Sequence, residues 1–325
     1  MTTAPIAEID IAPFIKGDDA ERRRVARLFG DEFENTGFAI IVGHGVPESL
    51  AQDTYDALNE FFSLPFEQKN KFNPPEQAKG RGYLPIGIES VAKTLTGETP
   101  PDLCEALVFA ALHRELQGVT GGRPNIWPDQ PPALKSLVEQ YCLAMVELNG
   151  HLTKMSALAL DLPEDYLDAC FADPALVLRF VNYPDQPIEP KPGQLRYGEH
   201  HDYGGLTILR QDSAPGGLQL WIDDGWADVP CLEGSFVINV GDLTSRWTNG
   251  RWRSTLHRVM NPPRQLTGST QRLSMVAFTG PNEATEIACL PTCKSETDPP
   301  KYGPVNAGDY IMAKIKESME LTSSN

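Results

Sequence analysis

Apolar residues follow two different rhythms along this chain, and the change comes near residue 176. From Asp19 through Phe33, Val25, Leu28, Phe29 and Phe33 recur at three- and four-residue steps, with Gly37 close behind as a stop. That spacing predicts an amphipathic helix. A second helix is expected between Pro47 and Pro65. The longest such pattern runs from Pro131 to Leu162, where Leu134, Leu137, Val138, Tyr141, Met145, Leu148, Leu152, Met155 and Leu158 fall on one stripe and predict a single long spine helix. Beyond Leu176 the text becomes short β-rich runs: 176–183, 206–211, 218–222, 235–240, 256–260 and 272–278. Turn signals separate them, notably Pro215-Gly216-Gly217, Asp223-Asp224-Gly225 and Asn249-Gly250. Closely spaced short strands suggest a sandwich or jelly roll. The expected organisation is a mainly helical region over 1–175 packed on a β core over 176–325 that carries a C-terminal helix, the two forming one compact unit or nearly so. Arg114 to Gln130, rich in Gly and Pro, reads as a long loop, and Thr322 to Asn325 as a fraying end.

Composition narrows the class. The chain has 325 residues, 41% of them hydrophobic, which is enough for a substantial core. The longest apolar run, Ala106 to Leu112, is far short of the roughly 20 residues of a membrane span, and the N-terminus lacks the basic-then-apolar order of a secretory signal. A cytoplasmic chain with no membrane partner is expected. A net charge of −16 disfavours nucleic acid, whose phosphates need a positive surface. Cys104, Cys142, Cys170, Cys231, Cys289 and Cys293 are scattered with no C-x-x-C pair, so they read as reduced structural thiols.

The candidate chemistry lies in His200-His201-Asp202 and the distant His257. Residues i and i+2 of an extended segment project to the same side. His200 and Asp202 therefore converge while His201 looks away. Two neutral imidazoles and one carboxylate on one face of a metal suit Fe(II) and leave positions for an organic oxygen donor and O2. A zinc hydrolase could use the same three ligands. Glycines flank the ligands in Tyr197-Gly198-Glu199-His200-His201-Asp202-Tyr203-Gly204-Gly205, where the backbone must bend closely.

His257 follows Asp202 by 55 positions, and Arg272-Leu273-Ser274 begins 15 further on. With this H-x-D, His, R-x-S order the chain resembles the 2-oxoglutarate and Fe(II)-dependent dioxygenases of the isopenicillin N synthase-like family. The resemblance runs nearly end to end, through Ile9-Asp10-Ile11, the segment Gly37 to Pro47, Phe61 to Lys69, Gly82-Tyr83 and Asn182-Tyr183-Pro184. It implies an α+β fold with a double-stranded β-helix (jelly-roll) core, flanked by helices including the spine helix. It also implies an enzyme that oxidises, by hydroxylation above all, an unactivated C–H of a small molecule with Fe(II), 2-oxoglutarate and O2, giving succinate and CO2. His200, Asp202 and His257 would hold iron. Arg272, Ser274 and Tyr183 would bind the far carboxylate of 2-oxoglutarate, with Asn182 nearby, although many relatives have N-x-Y-P where this chain has Val181-Asn182-Tyr183-Pro184. Arginine suits the task because its planar fork grips a carboxylate with two hydrogen bonds. Candidate substrate contacts are Phe278, which shares a strand face with Arg272 and Ser274, together with Arg196, Arg81 and Tyr83. Other readings remain open: an Fe(II) oxidase of this fold that does without 2-oxoglutarate, and a noncatalytic binding protein. A monomer or weak homo-oligomer is expected.

Overall fold

The computed structural model describes residues 2–75, 80–97, 99–119, 123–186 and 188–320; the expected fraying end at Thr322 to Asn325 lies outside them. Fifteen strands form among these residues. They are β1 (Thr2–Thr3), β2 (Glu8–Asp10), β3 (Phe38–Val42), β4 (Gly82–Leu84), β5 (Glu105–Ala110), β6 (Ala175–Tyr183), β7 (Tyr197–His200), β8 (Leu206–Gln211), β9 (Gly217–Ile222), β10 (Gly225–Asp228), β11 (Phe236–Val240), β12 (His257–Met260), β13 (Arg272–Gly280), β14 (Glu286–Ile287) and β15 (Val305–Asn306). Eight make a large sheet in the order β2-β3-β11-β8-β13-β6-β5-β4, and five make a smaller one in the order β1-β10-β9-β12-β7. The two inner faces enclose a jelly-roll interior. The rhythm change near residue 176 does not separate helices from sheet, because β1 to β5 all come from the first third of the chain and take places in both sheets. β5 escapes sequence reading because Ala106 to Leu112 is continuously apolar, and a strand covered on both faces has no alternation to show.

The helices lie against the outer face of the large sheet. The helix Asp19–Asn35 starts at a capping box in which Asp18 accepts from the Ala20 and Glu21 N–H groups while Glu21 reaches back. It buries Val25, Ala26, Phe29, Gly30 and Phe33; Leu28, expected on this stripe, is exposed because it sits on the helix flank beyond Val25. The helix Glu48–Phe62 fills the interval between Pro47 and Pro65. The spine helix Leu134–Ala159 is 26 residues, or about 39 Å. It packs under both of these helices and presents Tyr141 to Phe180 of β6, with ring centroids 6.2 Å apart. Phe180 has no exposed surface, so Phe180→Ala is expected to cost about 3–5 kcal/mol. Urea unfolding followed by circular dichroism checks this; a loss under about 1 kcal/mol would mean that the sheet and spine do not depend on that contact.

One irregularity aims the site. β7 and β12 pair antiparallel, with His257 opposite His200 and Val259 opposite Tyr197, so three steps on β7 face two on β12. This is a β-bulge at Gly198-Glu199. Because of it, Tyr197 and His200 both face inward although they are an odd number of residues apart. Gly198 is required there: a Cβ would lie 2.7 Å from the Ala92 Cβ.

Candidate functional site

His200 ends β7, Asp202 lies in the turn before β8, and His257 opens β12 directly across from His200. All three are buried, and one ligand atom from each lies within 4.8 Å of the others. Asp202 Oδ1 is 3.7 Å from Nε2 of each histidine. The opposite ring nitrogens are engaged elsewhere: His200 Nδ1 meets the Gly198 carbonyl at 2.8 Å and His257 Nδ1 the Thr255 carbonyl at 2.9 Å. A carbonyl only accepts, so each Nδ1 carries a proton and each Nε2 is the nitrogen turned to the common centre. Asp202 Oδ2 accepts from Thr207 and from Asn239, both at 2.6 Å, which leaves Oδ1 for the same centre. His201 turns away, to the Ser254 carbonyl at 2.8 Å.

The electrostatics agree with a metal-ligating role. Burial, then the adjoining His257, drives the His200 imidazole down to about 3, so it is neutral at physiological pH. Burial alone would raise the Asp202 carboxyl, but His257, His200 and the Thr207 and Asn239 hydrogen bonds outweigh it and hold the group ionised. A dry cluster of two imidazoles and one carboxylate, with the other polar atoms of all three already engaged, fits a divalent ion such as Fe(II).

Farther into the barrel, Arg272 begins β13 opposite Tyr183 of β6, and Ser274 lies on the same inner face. Arg272 is 3% exposed. It donates to the Asp212 and Ala214 carbonyls and to Gln211 Oε1 and pairs with Asp212 at 3.4 Å, while its Nε has no partner. Arg196 is next to it and fully buried. It donates to the Pro215 and Thr270 carbonyls, lies 6.0 Å from the Tyr183 ring centroid, and also keeps an unpaired Nε. Burial, then the charge of Arg272, pulls the Arg196 guanidinium down to about 10. Asp212 pairs with Arg272, and both Asp212 and Asp185 act on Arg196. The two orphaned Nε donors fit an anionic ligand.

Two family descriptions match, one to each part of the chain. Residues 172–281 match the 2OG-Fe(II) oxygenase superfamily and residues 6–130 match the N-terminal region of non-haem dioxygenases described from morphine synthesis. A 2-oxoglutarate-Fe(II) type oxidoreductase of Emericella nidulans is 31% identical over 98% of this chain and 90% of its own length. The chain belongs to the 2OG-Fe(II) oxygenase superfamily. A homoarginine-6-hydroxylase of Glycine max is 31% identical over 94% of this chain and 95% of its own. A full-length Neurospora crassa protein, solved in complex with alpha-KG and thymine, superposes with a TM-score of 0.83 at 28% identity, covering 98% of this chain and 97% of that one. The oxygenase is accordingly an Fe(II)- and 2-oxoglutarate-dependent dioxygenase that uses O2, with a jelly-roll core, and none of its helices is long and apolar enough to cross a membrane among the described residues.

Four expected contacts of the oxygenase are elsewhere. Strand alternation allows only one of Asn182 and Tyr183 to face the interior, and it is Tyr183. Asn182 points to the outer face, where it donates to Glu105 Oε1 at 2.8 Å and accepts from Gln271. Tyr83 is on that outer face too, bonded to the Glu105 carboxylate, which Lys69 clamps at 2.8 Å through both oxygens. Arg81 donates to the Ala110 carbonyl, and none of its contacts among the described residues reaches the triad. Arg196, expected at the substrate, is instead the neighbour of Arg272. Phe278 faces inward and is half-buried, opposite Thr207 of β8 and Val177 of β6.

One inward-facing charge escapes sequence reading. Arg179 of β6 shares the inner face with Val177, Val181 and Tyr183 and pairs with Glu89 through both nitrogens, one contact at 3.1 Å. Its signal is the even spacing from Tyr183 within a predicted strand.

Proposed function

We propose that His200, Asp202 and His257 hold Fe(II), that Arg272, Ser274 and Tyr183 receive the far carboxylate of 2-oxoglutarate, and that the oxygenase hydroxylates an unactivated C–H of a small molecule with release of succinate and CO2. The observation that carries this is the convergence of His200 Nε2, His257 Nε2 and Asp202 Oδ1 with every other polar atom of the three side chains already engaged. Bound iron supplies the activation of O2 and the oxidation of the C–H bond. The protein's own residues do the rest. Gly198 and Thr255 fix the imidazole tautomers, Thr207 and Asn239 fix the carboxylate, and the unpaired Nε donors of Arg272 and Arg196 draw a dianion to one end of the barrel. The half-buried wall of Val177, Leu209 and Phe278 keeps water away from the substrate side. A small-molecule substrate is supported by the homoarginine and thymine named for the two relatives above.

Anaerobic titration of the Fe(II) protein with 2-oxoglutarate tests this reading through the weak visible charge-transfer band of the chelated cosubstrate, alongside Fe(II)-dependent succinate release. Absence of both would refute it. The carboxylate's supports give a quantitative check. Asn239→Ala, and separately Thr207→Val, are expected to weaken Fe(II) binding by about 10- to 100-fold with little change in fold, read by competition with a calibrated chelator. Unchanged affinity in both would show that Oδ2 needs no orientation.

A further inference from the structure

We propose that Arg179 is the docking point for a carboxylate on the substrate, and that Glu89 is an internal anion which that carboxylate replaces. The inference rests on the oxygenase reading above and names the substrate class for the same barrel. Arg179 lies between Val108 of β5 and Val276 of β13 on the inner face of the large sheet. Its guanidinium is 5.8 Å from the Tyr197 ring centroid, and the Tyr197 ring meets the His200 ring edge-on at 4.8 Å. A single aromatic side chain therefore separates this cation from the metal centre. Tyr183 and Arg272 occupy the far end of the same strand pair, so Arg179 lies on the part of the wall that 2-oxoglutarate leaves free.

The rest of that wall is apolar. Leu84, Ala106, Val108, Val181 and Val276 are buried, with Val177, Leu209 and Phe278 partly so. Asp102 is the other acid nearby, and its two oxygens are committed to the Val91 and Gly198 N–H groups at 2.9 Å. Among the described residues only Glu89 neutralises Arg179 directly. The halves of this pair are unequal: the Arg179 side chain is 12% exposed and that of Glu89 35%. Glu89 belongs to no strand or helix, yet its carbonyl is fixed by the Asp102 N–H at 2.8 Å. The loop can thus stay in place while the side chain gives up its partner to water.

Charge arithmetic then selects the ligand. A carboxylate exchanged for a carboxylate leaves the guanidinium with two strong hydrogen bonds and lets Glu89 hydrate. A cationic or neutral ligand that drew Glu89 away would strand a buried cation, which is among the costliest changes a protein interior can suffer. The substrate's apolar body would lie on Val108, Val276 and Phe278, with its reacting C–H toward the triad.

The test uses the full chain loaded anaerobically with Fe(II) and saturating 2-oxoglutarate, and isothermal titration with phenylacetate, 4-phenylbutyrate and hexanoate, each against its own primary amide. At least one acid is expected to bind about tenfold or more tighter than its amide. Arg179→Gln should erase that preference while the 2-oxoglutarate band is unchanged. Glu89→Ala should move the other way and tighten the acid by about five- to tenfold, since the competing anion is gone; a purely structural ion pair would not show this gain. Acids no better than amides, or weaker acid binding in Glu89→Ala, would overturn the carboxylate subsite even with a normal 2-oxoglutarate band. A missing band in the wild-type protein would instead strike the oxygenase reading, and this one with it.

Discussion

Asp202→Ala is expected to reduce turnover by at least about a thousandfold, because removing the one anionic ligand of the proposed centre forfeits several kcal/mol of metal-derived stabilisation, and each 1.4 kcal/mol is a factor of ten. The fold should survive. The substitution leaves the Thr207 hydroxyl and the Asn239 amide without their acceptor, a cost of about 1–3 kcal/mol per group, but it also removes a buried negative charge. The measurements are Fe(II) stoichiometry after desalting, succinate release, and near-ultraviolet circular dichroism. Retained iron and turnover together with a native spectrum would remove Asp202 from the centre. His201→Ala is the matched control, since His201 faces Ser254 and should keep its iron.

Arg272→Met is expected to raise the KM for 2-oxoglutarate by about 100-fold or more, equivalent to roughly 3 kcal/mol for a desolvated charge pair. At saturating cosubstrate much of kcat should return, because the guanidinium acts at the end of the molecule remote from the reacting atoms. Arg272→Lys should recover only part of the loss: an ammonium restores the charge but not the planar fork. Arg196 remains beside the vacated position and supplies residual attraction, so the double substitution Arg272→Met, Arg196→Met should be worse than either alone. A KM unchanged in Arg272→Met would mean that the dianion is anchored elsewhere in the barrel.

The proposed ligands are plain in the sequence and the walls are not, and alternation explains both. His200, Asp202 and His257 stand out because a chelating set has few chemical substitutes, and the order of H-x-D, His and R-x-S fixes their neighbourhood. The element pattern of β6, β8, β9 and β13 is legible from turn signals, two helices from their stripes, and a third from its bounding prolines. What fails is the choice of face. Asn182 adjoins Tyr183 and invites the same role, although adjacent strand residues face opposite ways. Tyr83 reads as a pocket residue, but β4 turns it outward to Glu105, a residue 22 positions away whose burial no local pattern announces. Arg179 stays hidden inside a strand that is itself recognisable, for want of knowing which side of it is interior. β1, β2 and β4 are two or three residues long, too short for a period to declare itself.

The strand that carries Asn239 has β3 on one side and β8 on the other, so residues from the first forty or so of the chain hold one flank of the carboxylate's support. His257 reaches the same centre only from the smaller sheet, paired with β7 and β9. A growing polypeptide therefore has no such three-residue centre to offer until it is about four-fifths synthesised, and β1 and β3 must wait for β10 and β11, some two hundred positions downstream. With the proposed ligand set, iron acquisition is tied to completed folding, because a half-made copy lacks His257 and has no three-ligand centre to offer.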